Sequence, residues 1–214
     1  MTSLDLFQGL LGTDSKLEIY TSANHKSIPG TEGCYAWFLP LWMFGDDLEK
    51  FILSISRLLH HDPEPVRTKN FTFQRDTIKL SVEKSVDTSV HNSHKETWNQ
   101  FMTDPSTKNR LQDMLLETSL FMPPLYIGRT KNLNVRYNQH INGSAGKNDF
   151  YYRFSSYVNS DFFKIEVSDL LFVCLQTKYD SLIDARLDTD EEKMSELIEH
   201  ILIRLCRPSF SKRG

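Results

Sequence analysis

A strand, a basic turn and a capped helix are written into Leu125-Tyr126-Ile127-Gly128-Arg129-Thr130-Lys131-Asn132-Leu133. Pro123 and Pro124 punctuate the chain just before it. Leu125 to Gly128 is a short apolar run, the mark of a buried strand. Asn132 is a residue type that caps helices, because its side-chain oxygen accepts from the free N–H groups of the first turn. The helix that follows is predicted to run to about Ile141, with Leu133, Arg136, Tyr137 and His140 on adjoining faces. This reading places an aromatic hydroxyl on a strand and an arginine and a histidine, one turn apart, on the next helix.

Further strands and helices are read outward from this stretch. Gly33-Cys34-Tyr35-Ala36-Trp37-Phe38-Leu39 is apolar and aromatic, bounded by glycine and Pro40, and predicts a buried strand. Leu170 to Thr177 (LLFVCLQT) is a continuous apolar run fit for the middle of a sheet. Leu17 to Tyr20 reads as a short strand and Leu4 to Leu11 as a short amphipathic helix. Leu48, Phe51, Ile52, Ile55, Leu58 and Leu59 recur at helical steps, predicting a helix over Asp47 to His60 capped by Asp46. Phe71 and Phe73 alternate, as do Ile78, Leu80 and Val82, which predicts two strands joined near Arg75-Asp76. Residues 84–95 read as loop, Glu96 to Met102 as helix, and Asp104-Pro105 as the start of another, since proline suits the first helical position. Asn142 to Lys147 is a loop and Asp149 to Val158 a helix. Asp188 to Cys206 is the longest helix, with acids in its first turns that complement the helix dipole.

Composition bounds what such a chain does. With 214 residues, 39% hydrophobic and 12% aromatic, it is long enough for a real core and is not a disordered sequence. A net charge of −3 argues against a generic nucleic-acid coat protein, because neutralised phosphates supply most non-specific affinity. The basic residues cluster instead. Residues 126–153 hold Arg129, Lys131, Arg136, Lys147 and Arg153 against one acid, Asp149, and residues 204–213 hold Arg204, Arg207, Lys212 and Arg213 with none. Cys34, Cys174 and Cys206 are odd in number and match no zinc spacing, so they read as reduced thiols of an intracellular protein. The chain shows neither a signal peptide nor a run long enough to span a membrane, and the expected location is the cytoplasm.

Four pieces carry candidate chemistry: Gly33-Cys34-Tyr35, Tyr126-Ile127-Gly128, Arg136 with His140, and Glu199 followed by Leu202-Ile203 and Arg207-Pro208-Ser209-Phe210-Ser211. Each alone has a plainer reading. Strand tyrosines ordinarily pack a core, an Arg and a His four apart ordinarily form a solvated face, and Glu199 is one carboxylate in an acidic helix. Taken together and in order, they resemble the GIY-YIG nuclease family. The tripeptide Tyr-Ile-Gly is intact, Arg136 follows Tyr126 by ten residues, His140 lies one turn further, and Pro208 follows Glu199 by nine. The resemblance covers residues 33–39 and 123–211. The chain departs from the pattern in reading Gly-Cys-Tyr for Gly-Ile-Tyr and in carrying Ser211 where many members have asparagine. It also sets 90 residues between Tyr35 and Tyr126 where compact members use about a dozen.

The resemblance implies an α+β fold: a small three-stranded antiparallel core sheet flanked by helices, formed by residues 33–40 and 123–214. An N-terminal extension (1–32) precedes it and a helix and hairpin subdomain (41–122) is inserted. It implies an endonuclease hydrolysing DNA phosphodiesters with one Mg²⁺ (or Mn²⁺) ion per site. Glu199 would be the metal ligand, with Glu196, one turn earlier, the alternative. Arg136 would stabilise transition-state charge, Tyr35 serve as base or water-orienting group, Tyr126 position water or phosphate, and His140 relay a proton. Arg129, Lys131, Lys147, Arg153, Arg207 and Ser211 would contact nucleic acid. The insertion points to a restriction or phage-defence enzyme on double-stranded DNA, for which two cuts in a duplex would favour a homodimer. The alternatives are a structure-selective repair or recombination nuclease, and a catalytically silent nucleic-acid-binding module; RNA stays open as substrate.

Overall fold

The structure is a computed structural model describing residues 17–41, 47–59, 66–73, 76–83, 89–143, 149–158, 165–176 and 188–211, without the side chains of 66–83 and 188–195. In chain order the elements are β1 (Leu17–Tyr20), β2 (Gly33–Phe38), α1 (Leu48–Leu59), β3 (Val66–Phe73), β4 (Asp76–Glu83), α2 (Asn92–Thr103), α3 (Pro105–Thr118), β5 (Tyr126–Thr130), α4 (Leu133–Asn142), α5 (Phe150–Val158), β6 (Leu171–Gln176) and α6 (Asp188–Cys206). They form two compact units, one of residues up to Pro40 and from Thr118 onward, the other of Leu41–Glu117. The chain is therefore mixed α+β.

The first unit holds a four-stranded antiparallel sheet in the order β1-β6-β2-β5. The expected three-stranded sheet is thus one strand short: β1 pairs along the outer edge of β6, Tyr20 opposite Phe172. Its place was hidden because the apolar Leu17 and Ile19 lie exposed while Tyr20 is buried, the reverse of what an apolar alternation suggests. β6 and β2 occupy the interior positions, as their continuous apolar runs require.

Strand periodicity then divides the side chains of β2 and β5 between two faces. Tyr35 and Trp37 share a face with Gly128 and Tyr126, their register partners. Helices α4 and α5 cover this face. Trp37, fully buried, packs against Tyr137 at 5.5 Å, Phe150 at 5.9 Å and Phe172 at 4.9 Å between ring centroids. The other face of β2 and β5 packs against α6. Beyond α6 the chain turns at Arg207, whose φ of 48° is the left-handed conformation that ends a helix. Pro208 follows, as it commonly does after such an end. Phe210 N–H then donates to Leu125 O at 2.9 Å, so the tail covers the edge of β5.

Two glycines are fixed by close approach. A Cβ on Gly33 would lie 2.4 Å from Leu175 O, a backbone atom of the neighbouring strand. A Cβ on Gly128 would lie 2.6 Å from the Tyr35 hydroxyl oxygen. The Tyr35 ring therefore occupies the space above Gly128, which explains why a glycine stands there.

The second unit contains α1, the β3–β4 hairpin, α2 and most of α3. Phe51 stacks on Trp98 at 5.5 Å, and Lys95 pairs with Glu49 at 2.8 Å. Asp47 Oδ1 accepts from Lys50 N, so Asp47 caps α1; the expected cap, Asp46, lies outside the described residues. Helix α2 begins at Asn92 within the expected loop, because the His91 side chain accepts from Ser93 N and caps it. The segment Leu4 to Leu11 also lies outside the described residues, as does Arg75. No helix among the described residues is long and apolar enough to cross a membrane.

Candidate active site

The site is assembled at the β5 edge of the first unit. Tyr126 and Ile127, adjacent in β5, point to opposite faces, yet both line one open cleft of about 510 Å³. The cleft therefore wraps around the strand edge, drawing on helices from both sides. Arg136 comes from α4, Asp149 and Arg153 from the start of α5, and Glu196, Glu199, His200 and Ile203 from α6. Ser211 comes from the tail.

Asn132 caps α4 as its residue type predicts, its Oδ1 accepting from Val135 N at 2.9 Å. That fixes where α4 begins and aims Arg136 and His140, one turn apart, at the Tyr35 face. Tyr35 is 2% exposed and His140 is fully buried. Tyr35 Oη lies 2.8 Å from His140 Nε2 and accepts from Arg136 Nε at 3.0 Å. Arg136 also donates to Gln139 Oε1 at 3.1 Å and to Asp149 Oδ1 at 3.2 Å. The other Asp149 oxygen lies 3.0 Å from His140 Nδ1, off the line of a well-aligned hydrogen bond, and neither atom has another partner among the described residues. Of the five N–H donors of a guanidinium, these contacts use three and leave two for a ligand in the cleft.

Burial pushes the Tyr35 pKa well above its ordinary value, and the neighbouring Tyr126 phenol adds to this; Arg136 opposes it. Burial also lowers the pKa of His140, helped by Arg136 and Arg153 and resisted by Asp149, so the imidazole is neutral near pH 7. For Asp149 burial alone would raise the pKa, but the hydrogen bond from His140 and the charge of Arg136 hold it below the usual range. Tyr126 is the tyrosine that faces the cleft. Its ring stacks on Phe150 at 5.0 Å, meets His140 edge-on at 5.5 Å, and carries Arg153 at 5.8 Å from its centroid.

On the α6 side, Arg129 spans two carboxylates. Its Nη2 lies 3.4 Å from Glu196 and its Nε 3.5 Å from Glu199. Glu199 is the more enclosed of the two, and burial raises its pKa despite Arg129. Positive charge is therefore welcome at this wall. Among the described residues no group of three or more His, Cys, Asp or Glu side chains gathers at one point. Glu199, with Glu196 one turn away and an open cleft beside it, fits a hard cation that keeps most of its waters, which is the habit of Mg²⁺.

Of the residues singled out in the sequence, Tyr126, Arg136, Glu199, its alternative Glu196, Arg153 and Ser211 line the cleft, with Tyr35 and His140 directly behind it. Ser211 has a structural partner: its Oγ accepts from Ile127 N at 3.2 Å, tying the tail to the Tyr-Ile-Gly strand. Lys131 and Arg207 are exposed and are not among the residues lining the cleft, and Lys147 lies outside the described residues. The sequence reading missed Asp149, Gln139 and His200. Asp149 had a signal, being the one acid in a basic segment and standing just before a helix. His200 adjoins Glu199 but looked like one more polar residue of a solvated helix. The chain matches no family model, no curated protein and no solved structure.

Proposed function

We propose that this chain is a divalent-metal-dependent endonuclease that hydrolyses DNA phosphodiester bonds, of the restriction or phage-defence type, acting in the cytoplasm. The observation that carries the reading is the convergence of Tyr126, Arg136 and Glu199 on one cleft, with Tyr35 and His140 hydrogen-bonded behind it. An accidental match of dispersed motifs gives no reason for these five side chains to meet. The resemblance to GIY-YIG nucleases supplies their roles.

A phosphodiester in the cleft meets Arg136, whose two remaining N–H groups face the non-bridging oxygens as charge builds on them. The planar guanidinium, fixed by Tyr35, Gln139 and Asp149, needs little reorganisation at that moment. Glu199 would hold Mg²⁺ or Mn²⁺, which when bound supplies Lewis-acid stabilisation of the departing oxyanion. Arg129 must then give up part of its contact with that carboxylate. The attacking water forms the new P–O bond as the bond to the leaving oxygen breaks. Its proton passes to Tyr126, the proton of Tyr126 to Tyr35, and that of Tyr35 to His140 Nε2; the leaving oxygen takes a proton from solvent. Tyr35 is thus the interior member of the relay and Tyr126 the one that meets substrate.

Arg153 over the Tyr126 ring adds positive charge where a backbone phosphate would lie. The separate unit Leu41–Glu117 is a second body for sequence readout, and two cuts in one duplex favour a homodimer.

The test is incubation of purified chain with supercoiled plasmid and Mg²⁺, beside Glu199→Ala and Arg136→Ala. Nicking or linearisation by wild type alone supports the reading. Equal cleavage by all three assigns the activity to a contaminant. Binding without cleavage under Mg²⁺ and Mn²⁺ points to the silent module.

A further inference from the structure

Four side chains close a ring at the wall of the cleft: Tyr35 to His140, His140 to Asp149, Asp149 to Arg136, and Arg136 back to Tyr35. We propose that Asp149 is a positioning residue that sets the tautomer of His140, and with it the direction in which the Tyr35 proton moves. The consequence for catalysis rests on the nuclease reading above; the tautomer itself does not.

The direction of every hydrogen bond follows from counting donors and acceptors. Arg136 only donates, so Tyr35 Oη accepts from Nε and Asp149 Oδ1 from Nη2. A carboxylate only accepts, and Asp149 Oδ2 stands 3.0 Å from Nδ1 with no other donor beside it, so the imidazole hydrogen belongs on Nδ1, facing that negative charge. The neutral imidazole then has a lone pair at Nε2, and Tyr35 is obliged to donate to it. Water does not redirect this pattern, because His140 is 0%, Tyr35 2% and Asp149 7% exposed. The groups facing the imidazole are Tyr35 on β2, Tyr126 on β5, Arg136 on α4, and Asp149 and Arg153 on α5. Asp149 is the one acid among them. When Tyr35 transfers its proton, the O–H bond breaks and an Nε2–H bond forms. Until the Tyr126 proton reaches it, the phenolate stands beside Arg136 and the imidazolium beside Asp149, so this transfer leaves the net charge of the ring unchanged.

An amide at position 149 reverses the pattern. In Asp149→Asn the amide oxygen must face Arg136, which has nothing but donors. The NH₂ group then faces Nδ1 and makes it an acceptor. The imidazole hydrogen moves to Nε2 and points at Tyr35, which loses its proton acceptor. Asparagine caps helices as well as aspartate does, so the start of α5 is unharmed.

The experiment is a long-range ¹H–¹⁵N correlation spectrum of the imidazoles in the full chain, with His140 assigned from a His140→Gln spectrum. In wild type the ring is expected as the neutral Nδ1–H form at pH 7, and in Asp149→Asn as the Nε2–H form. A wild-type ring carrying its hydrogen on Nε2 overturns the proposal without any need for the variant to fold. A folded Asp149→Asn that keeps Nδ1–H overturns it too. Single-turnover cleavage is read alongside. With wild type active, Asp149→Asn is expected to lose on the order of 10²–10⁴ in rate while its affinity for the duplex, measured in Ca²⁺, stays unchanged. An inverted tautomer with full rate removes the catalytic role. A wild-type chain that never cleaves sinks the nuclease reading and leaves the tautomer result to be judged by the spectra alone.

Discussion

Gly128→Ala puts the architecture of the site under the smallest chemical change. The new Cβ would stand 2.6 Å from Tyr35 Oη and 2.7 Å from its ring carbon Cζ, against an ordinary contact that begins at 3.4 Å. The phenol must therefore retreat by roughly 0.8 Å, the difference between these distances, at the end that bonds His140 at 2.8 Å and Arg136 at 3.0 Å. Retreat is blocked, since Tyr35 is packed against Phe172 at 5.3 Å and His140 at 5.5 Å between centroids. Overpacking of this kind costs about 1–3 kcal/mol. Weakening two buried hydrogen bonds adds about 1 kcal/mol each. The stiffer unfolded chain returns about 0.4–1 kcal/mol. The net expectation is a loss of about 2–5 kcal/mol, or a urea midpoint lower by about 1–2.5 M at an m-value of about 2 kcal/mol per M. Gly30→Ala is the control, because its Cβ would meet nothing closer than Asn132 Nδ2 at 3.5 Å. Equilibrium urea unfolding followed by circular dichroism compares the three proteins. If Gly128→Ala unfolds at the same urea concentration as wild type and Gly30→Ala, then Tyr35 does not lie across Gly128 and the site is not built as described.

Other perturbations read other parts of the site. Ser211→Ala removes the acceptor for the Ile127 N–H group and is expected to cost about 1 kcal/mol in urea unfolding, with unchanged stability speaking against the tail's role as a brace. Glu199→Gln is expected to hold or increase stability at pH 7. Burial raises the folded pKa of Glu199, so its carboxyl contributes stability below its unfolded pKa and loses that contribution as pH rises through the folded value. A clear loss of stability in the glutamine variant at pH 7 would show that the charged form is favoured instead. His140 has the opposite pH dependence. Its folded pKa is depressed, so its contribution is complete above its unfolded value of about 6.5 and falls away as pH drops from there toward the folded value. Wild type should therefore lose stability more steeply than His140→Gln as the pH falls below about 6.5, and matching slopes in urea titrations would contradict a buried neutral ring.

The strands and the caps at Asn132 and Asp104 were legible because they depend on local chemistry, whereas the His91 cap of α2 was not. Asn132 before Leu133, Asp104 before Pro105 and the run at Leu171–Gln176 act through their own backbone and needed no knowledge of the rest. The placement of β1 was not legible, since its apolar residues face outward and only the position of β6 explains its pairing. Tyr35, Tyr126, Arg136, His140 and Glu199 were found as a spaced set. What spacing did not show was depth: Tyr126 faces the cleft while Tyr35 lies beneath it. Asp149 escaped because its partners, His140 and Arg136, lie nine and thirteen residues earlier and meet it only once α4 and α5 pack on the same sheet face.

The most direct test of the nuclease reading is the single-turnover rate of cleavage of an end-labelled duplex at saturating protein, with Mg²⁺ varied, for wild type and Glu199→Ala. Wild type is expected to cleave at a rate that rises with Mg²⁺ and saturates. Glu199→Ala should bind the duplex as well yet cleave at least about 100-fold more slowly, the scale on which one electrostatic contributor to a transition state acts. A Glu199→Ala rate equal to wild type, or a wild-type rate indifferent to Mg²⁺, would contradict the assignment of this cleft as a metal-dependent nuclease site.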